Sequence, residues 1–176
     1  METMVRKLDL PPPPTKNLEM TAFLLVAAEA PRPDLSLPAR LEPVVKQLRG
    51  MFNYKSYALL ETLVVRSRDG KEGSVTGVVP SPSDTTAKTF YSFSYRSARL
   101  TSDPNGNIIR IDGLNLGARI PLATESGAQG SKIQYQNTGV TTNVDVRDGQ
   151  MVVVGKANVD GSNNALIIVL SAKVVD

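Results

Sequence analysis

The sequence predicts an α+β fold that is mostly antiparallel β, with a sandwich or barrel-like body and one short helix in an N-terminal strand-helix-strand unit. Runs rich in β-branched and aromatic residues, separated by Gly, Asn and Asp turns, follow one another from residue 89 onwards. Apolar residues recur at helical spacing in one N-terminal segment. We therefore divide the chain into an extended Pro-rich arm, 1–17, and a single mostly β domain, 18–176, with a strand-helix-strand part, 18–79, and a β part, 89–176.

The arm contains four consecutive prolines, which favour a stiff polyproline II segment and cannot donate to a sheet through their nitrogens. The apolar side chains ahead of them can add to an exposed strand edge of a neighbouring subunit. We predict subunit contacts at Val5, Leu8, Leu10, Pro11, Pro12, Pro13 and Pro14. The alternative is a disordered tail.

The strand-helix-strand unit begins with LEMTAFLLVAAEA, residues 18–30, which is apolar enough for a buried strand. A helix follows, with Pro43 in its first turn and its end at Gly50. Its core-facing residues are predicted to be Leu41, Val44, Val45, Leu48 and Phe52. Residues 54–70 then form a long strand that closes at the turn Asp69-Gly70.

The β part opens with TFYSFSYRSARL, residues 89–100, in which two sets of side chains alternate. We expect Phe90 to face the core and Tyr91 and Tyr95 to line a cross-strand ladder. Further strands are predicted at 107–113, 114–122, 131–136, 140–146, 151–159 and 165–175.

The chain has no cysteine and no histidine. Of its residues 41% are apolar and 21% are charged, and its net charge is +3. Disulfides, Cys/His zinc sites, Cys nucleophiles and Ser-His-Asp triads are therefore excluded. We predict no catalytic residues, no metal site and no cofactor. An enzyme that uses Asp, Glu, Ser, Lys or Tyr is the alternative.

The segment VRDGQMVVVGK, residues 146–156, invites comparison with a phosphate-binding loop. Such a loop needs four residues between its glycines and Ser or Thr after the lysine, whereas five residues separate Gly149 from Gly155, and Ala157 follows Lys156. The segment favours strand, turn, strand, with Lys156 a solvated strand-end charge. VDGSNN, residues 159–164, begins like a calcium loop but lacks the closing Glu, so a turn is the simpler interpretation.

Nucleic acid and membrane partners are not indicated. The aromatic run at 88–99 lacks the glycines and hydrophobic residues of RNA-recognition strands, and the basic residues are scattered. The longest apolar stretches, 20–28 and 165–170, fall far below the ~20 residues of a membrane-spanning helix. The N-terminal residues contain no signal-peptide core, so we expect that any such segment has been removed.

Residues 138–175 follow a plan of strand, D-G-Q turn, V-V-V-G strand, turn and apolar strand. This plan resembles the core-domain hairpin of bacterial secretins, the ring-forming outer-membrane channels, although secretins usually have another glycine where this chain has Lys156. From KNLEMTAFLLVAAEAP to the C-terminal residues, the chain also resembles an uncharacterised group of exported proteins from Acidobacteria and related environmental bacteria. These resemblances imply an envelope or extracellular location and no catalytic residue.

The sequence thus predicts a non-enzymatic structural protein that self-assembles into a ring, tube or filament, as a homo-oligomer held by the arm and by β edges. The alternative is a monomeric β-sandwich module that binds carbohydrate or peptide. In that case the candidate ligand surface is Tyr91 and Tyr95, on the aromatic strand.

Overall fold

A computed structural model describes residues 11–31, 37–80, 87–123, 133–159 and 163–176. Its helix α1 is Glu42–Met51, and a 3₁₀ turn at Ala39–Leu41 leads into it. The strands are β1 (Asn17–Ala28), β2 (Ser56–Arg68), β3 (Lys71–Pro80), β4 (Lys88–Asp103), β5 (Gly106–Ala123), β6 (Ile133–Arg147), β7 (Met151–Val159) and β8 (Asn164–Val175).

The strands form two four-stranded antiparallel sheets. Sheet A has the order β2-β1-β8-β7, and sheet B has the order β3-β4-β5-β6. The chain passes between the sheets at Asp69-Gly70 and at Asp148-Gly149, where Gly70 and Gly149 have φ of 78° and 79°. The predicted fold class is confirmed, with the body formed as two separate sheets. Sheet A joins strands from both parts of the chain, 18–79 and 89–176.

The main core lies between the two sheets. Each strand alternates its side chains, so one face of each sheet contributes apolar residues to this core. The largest contributions come from Leu18, Met20 and Leu24 of β1, Phe93 of β4, Ile109, Leu114 and Leu116 of β5, and Ile168 and Leu170 of β8. This packing fixes which face of sheet B points outward, and the sites below lie on that sheet.

Helix α1 covers the other face of sheet A. Leu41, Val45 and Leu48 pack there against Phe23 and Ile167, with Phe52 partly buried beside them. Because β1 and β8 are covered on both faces, they are apolar at nearly every position. The predicted helix and its packing are confirmed, although the helix ends at Met51 and Phe52 is already extended, with φ −130° and ψ 146°.

Two predicted breaks in the β part are wrong. Residues 107–113 and 114–122 form one strand, β5, because Gly113 adopts φ 62° and makes a bulge while pairing continues on both sides. The Asn143 side-chain oxygen accepts a hydrogen bond from the Gly113 amide at 2.7 Å. Likewise β6 runs through Gly139, where an added Cβ would overlap the carbonyl oxygen of Leu116. Each glycine therefore permits a close or bent strand and does not end it.

The side chains of β4 face the opposite way from the prediction. Tyr91, Phe93 and Tyr95 point into the core, and Phe90 points outward with 43% of its surface exposed. The sequence alternation gave the two sets correctly. It did not determine which set is buried, because both contain aromatic rings.

Candidate functional site: the edges of sheet B

Strands β3 and β6 are the two edges of sheet B. Consecutive strands of the sheet are antiparallel, so β3 and β6 themselves run in opposite directions. If a second copy is placed beside the first in the same orientation, β3 of the second copy lies antiparallel to β6 of the first. The sheet can therefore be extended copy by copy while its antiparallel order is kept.

Charges, prolines and bulges on an edge strand usually prevent edge pairing, and in β6 the charges are confined to Asp145 and Arg147 at its end. From Ile133 to Val144 its sequence is IQYQNTGVTTNV, without a charged residue or a proline. From Tyr135 to Val144 the strand alternates between exposed outward positions and half-buried inward positions, and the inward Val146 is buried. Its outer backbone groups therefore form a long, regular template for another strand.

The β3 edge is shorter and is built on glycines. Its register against β4 is unbroken from Gly73 to Pro80, and Gly73–Val79 carries no charge. A Cβ on Gly73 would overlap the Tyr95 hydroxyl, and one on Gly77 would overlap the Tyr91 hydroxyl. The two tyrosine rings thus occupy the inner side of this edge, and within the described ranges no strand pairs with β3 on the side away from β4.

The tyrosines predicted as a ligand surface are therefore on the inner face of the sheet. Tyr95 is 2% exposed, and its hydroxyl donates to the Ser67 hydroxyl of β2 at 2.9 Å, which links the two sheets. Burial raises the pKa of Tyr95, and it also raises the pKa of the half-buried Tyr91. The outward ring of this strand belongs to Phe90.

The edges of sheet A, β2 and β7, differ from those of sheet B. The pairing of β2 with β1 shifts register at Leu24/Leu25, and the pairing of β7 with β8 shifts at Val153/Gly155. Such irregularities in the middle of an edge strand oppose continuous pairing. Strand β7 also carries Lys156, whose Nζ donates to the Tyr54 hydroxyl at 2.9 Å and lies 5.4 Å from the Phe52 ring centroid.

Lys156 is exposed, as predicted for a solvated charge, but the prediction that it lies at a strand end is wrong. It lies inside β7, and its ammonium group packs on aromatic rings next to α1. Gly149 is in the turn before β7, and its amide donates to the Ala172 carbonyl at 2.8 Å. Met151 to Lys156 are extended, so their amides do not converge on an anion, and strand, turn, strand is the structure found.

The arm leaves the body at the corner between β2 and β3. The Asp69 amide donates to the Lys16 carbonyl at 2.9 Å, which fixes the start of β1 beside the turn that joins these strands. Pro11 to Pro14 are exposed. Val5, Leu8 and Leu10 lie outside the described residues, so their contacts stay a prediction.

The described ranges contain no group of three or more Asp, Glu, His or Cys residues that could hold a metal ion. The calcium-like turn at Asp160 lies outside them. Within the same ranges, no helix is both long enough and apolar enough to cross a membrane.

No protein-family model and no curated protein matches this chain. Similar solved structures include the type IV competence pilus secretin PilQ of V. cholerae (12% identity, TM-score 0.49), the T2SS secretin XcpQ of Pseudomonas aeruginosa (12%, 0.49) and the type II secretin GspD of enteropathogenic Escherichia coli (10%, 0.48). These alignments cover 98%, 99% and 99% of this chain and 63%, 62% and 73% of the respective secretin chains. The secretins thus recur among the structural neighbours at low sequence identity, and the resemblance to exported Acidobacteria proteins stays a prediction.

Sequence reasoning did not identify β3 and β6 as the open edges. The β pattern was expected after residue 70, but no strand was named between residues 71 and 88, where Gly73 and Gly77 lower the β-propensity of β3. One signal was available for β6. The uncharged run from Ile133 to Val144 stands out in a chain in which 21% of residues are charged.

Proposed function

We propose that this chain is a non-enzymatic structural subunit that self-assembles into a ring, tube or filament by pairing β6 of one copy with β3 of the next. The observation that carries the proposal is the pair of open edges on opposite sides of sheet B, running in opposite directions. Such an interface uses two different surfaces, so it leaves one free edge at each end of the growing assembly. A ring results if the rotation between copies closes, and a tube or filament results if it does not.

The location that we propose is the bacterial envelope or the extracellular space. It rests on the secretin-like plan of residues 138–175, and the secretins among the structural neighbours belong to pilus and secretion systems by their names. The arm adds a second contact in this proposal. It leaves beside β3, which is one of the two edges that a neighbour would meet.

A matched pair of proline variants in β6 tests the pairing. Successive amides of a strand point to opposite sides, so of Thr141→Pro and Thr142→Pro one removes an amide that faces β5 and the other removes an amide that faces outward. We expect the variant that loses the amide pointing away from β5 to keep its thermal stability and to lose assembly. Light scattering and electron microscopy measure the assembly. The variant that loses the amide hydrogen-bonded to β5 should lose assembly and also stability, by ~3 kcal/mol or less at an edge strand.

A wild-type chain that stays monomeric at high concentration would rule out this function. Assembly that persists in both proline variants would show that β6 is not the contact.

A further inference from the structure

The outer face of sheet B has an apolar end. Among the described residues, six large apolar side chains are exposed, and four of them lie together at this end. They are Val78 of β3, Phe90 of β4, and Ile133 and Tyr135 of β6, at 46%, 43%, 54% and 38% exposure. The adjoining row on the same face is small and polar, with Thr76, Ser92, Gly117 and Gly139. A cluster of this kind on a polar face is a candidate binding surface.

Two aromatic rings and a guanidinium group form a corner at this end. Phe90 and Tyr135 come from strands that are not neighbours, yet their ring centroids are 6.0 Å apart across β5, with the planes inclined at 56°. Arg119 of β5 lies in register with Phe90, and its guanidinium carbon is 5.4 Å from the Tyr135 ring centroid. The corner thus offers apolar ring surface directly beside a positive charge.

A depression of about 270 Å³ lies beside this corner. Gly117 is part of its lining, where a Cβ would come 3.2 Å from the Ser92 hydroxyl oxygen, so the glycine keeps the depression open. The Asn137 amide and the Ser92 hydroxyl supply polar groups to its lining. None of the four ion pairs found in the described ranges involves Arg119, so its charge is available to a ligand.

The position of the depression distinguishes a sugar from a peptide. It lies over β4 and β5 and reaches β6. The backbone groups of β4 and β5 are already paired on both sides, so an extended peptide could pair only along the outer edge of β6 and not over the depression. The available groups are ring faces, a hydroxyl, an amide and a guanidinium. Ring faces suit the apolar face of a pyranose, hydroxyl and amide groups suit its hydroxyls, and a guanidinium suits a carboxylate.

We propose that this corner, formed by Phe90, Arg119, Tyr135 and Asn137, binds an acidic saccharide, with a uronic acid unit stacked on the rings and its carboxylate on Arg119. The four side chains point outward from the face of the sheet, so the site does not depend on the proposed edge pairing.

The test uses the full chain and a hexamer of galacturonic acid, with a neutral hexamer of glucose as the comparison ligand, measured by isothermal titration calorimetry. We expect the acidic hexamer to bind at least about tenfold more tightly than the neutral one, and to weaken as salt is added. Arg119→Gln should weaken the binding of the acidic hexamer about tenfold or more, and Phe90→Ala about two- to tenfold.

Two control variants make the same kinds of change elsewhere. Arg68→Gln removes an exposed arginine at the end of β2, and Met51→Ala removes an exposed apolar side chain at the end of α1, and both should bind as the wild type does. Absence of binding at millimolar hexamer would overturn the proposal. So would equal affinity for the two hexamers, or unchanged affinity in Arg119→Gln. Circular dichroism of each variant checks its folding, and light scattering of the same samples reports assembly separately.

Discussion

Among the residues that the structure describes, Glu19 is the one buried carboxylate. It lies on the face of sheet A that α1 also covers, with 8% of its surface exposed. Arg66 Nε of β2 donates to one carboxylate oxygen at 2.6 Å, and Lys173 Nζ of β8 lies 3.1 Å from the other. These hydrogen bonds, that of Arg66 first, lower the pKa of Glu19 from its ordinary value. The charges thereby join three neighbouring strands.

Glu19→Gln should lower the unfolding temperature at pH 7, because two cations then lose their partner. The folded state lowers the pKa of Glu19, so its contribution is present above the unfolded-state pKa of ~4.3 and is lost as the pH falls through the folded-state value. The difference between the wild type and Glu19→Gln should therefore shrink in acid.

Thermal unfolding from pH 7 down to pH 2 measures that difference. Glu72→Gln, at an exposed position of β3, is the control for loss of one negative charge. A deficit of Glu19→Gln that stays the same at every pH would contradict the account.

Helix α1 packs on sheet A, so that sheet A lies between this helix and sheet B. Leu48 is fully buried between this helix and the sheet. We expect Leu48→Ala to destabilise the fold by ~2–5 kcal/mol, as other large-to-small changes in cores do, measured by urea unfolding. A variant of wild-type stability that fails to assemble would instead mean that the helix is a contact between subunits.

The sequence predicted some elements well, and the reasons differ from one element to another. α1 and β1 were recognisable because their burial follows a simple period or a continuous apolar run. The lengths of β5 and β6 were not recognisable, because Gly113 and Gly139 look like turn residues. Whether such a glycine ends a strand depends on the pairing with the neighbouring strand.

The candidate site was even harder to predict from the sequence than the strand lengths. An edge strand is one that pairs with a neighbour on one side only. Which strands these are depends on the order of all strands in the sheet. Tyr95 is buried and Tyr91 half-buried because β3 supplies Gly73 and Gly77 opposite them, and this complementarity joins two separate segments of the chain. A local pattern carries no information on such a pairing.

At the scale of the whole molecule, the proposed contact of the arm with a neighbouring subunit can be tested separately. In a polyproline II conformation its four prolines would span about 12 Å at ~3.1 Å each. The chain then enters β1 beside the corner between β2 and β3. Deleting residues 1–14 should weaken or abolish assembly and leave the thermal stability of the subunit nearly unchanged, as light scattering and circular dichroism would show. Unaltered assembly in the deletion variant would mean that the β edges suffice and that the arm is a tail.

Head-to-tail pairing of sheet B is the central claim, and the absence of cysteine from the chain allows a direct test of it. Within one subunit β3 and β6 are three strand spacings apart, roughly 14 Å, whereas a disulfide needs Cα atoms about 4.4–6.8 Å apart. A cysteine on each edge can therefore form a disulfide only between subunits.

The measurement is a non-reducing gel of oxidised double variants that combine Thr76→Cys on β3 with Asn137→Cys, Thr141→Cys or Asn143→Cys on β6. All four positions face outward, and the three on β6 allow for different registers between copies. The account predicts a ladder of covalent multimers in at least one double variant and none in the corresponding single variants. Dimers formed equally well by Thr76→Cys alone, or no multimers in any of the three double variants, would contradict it.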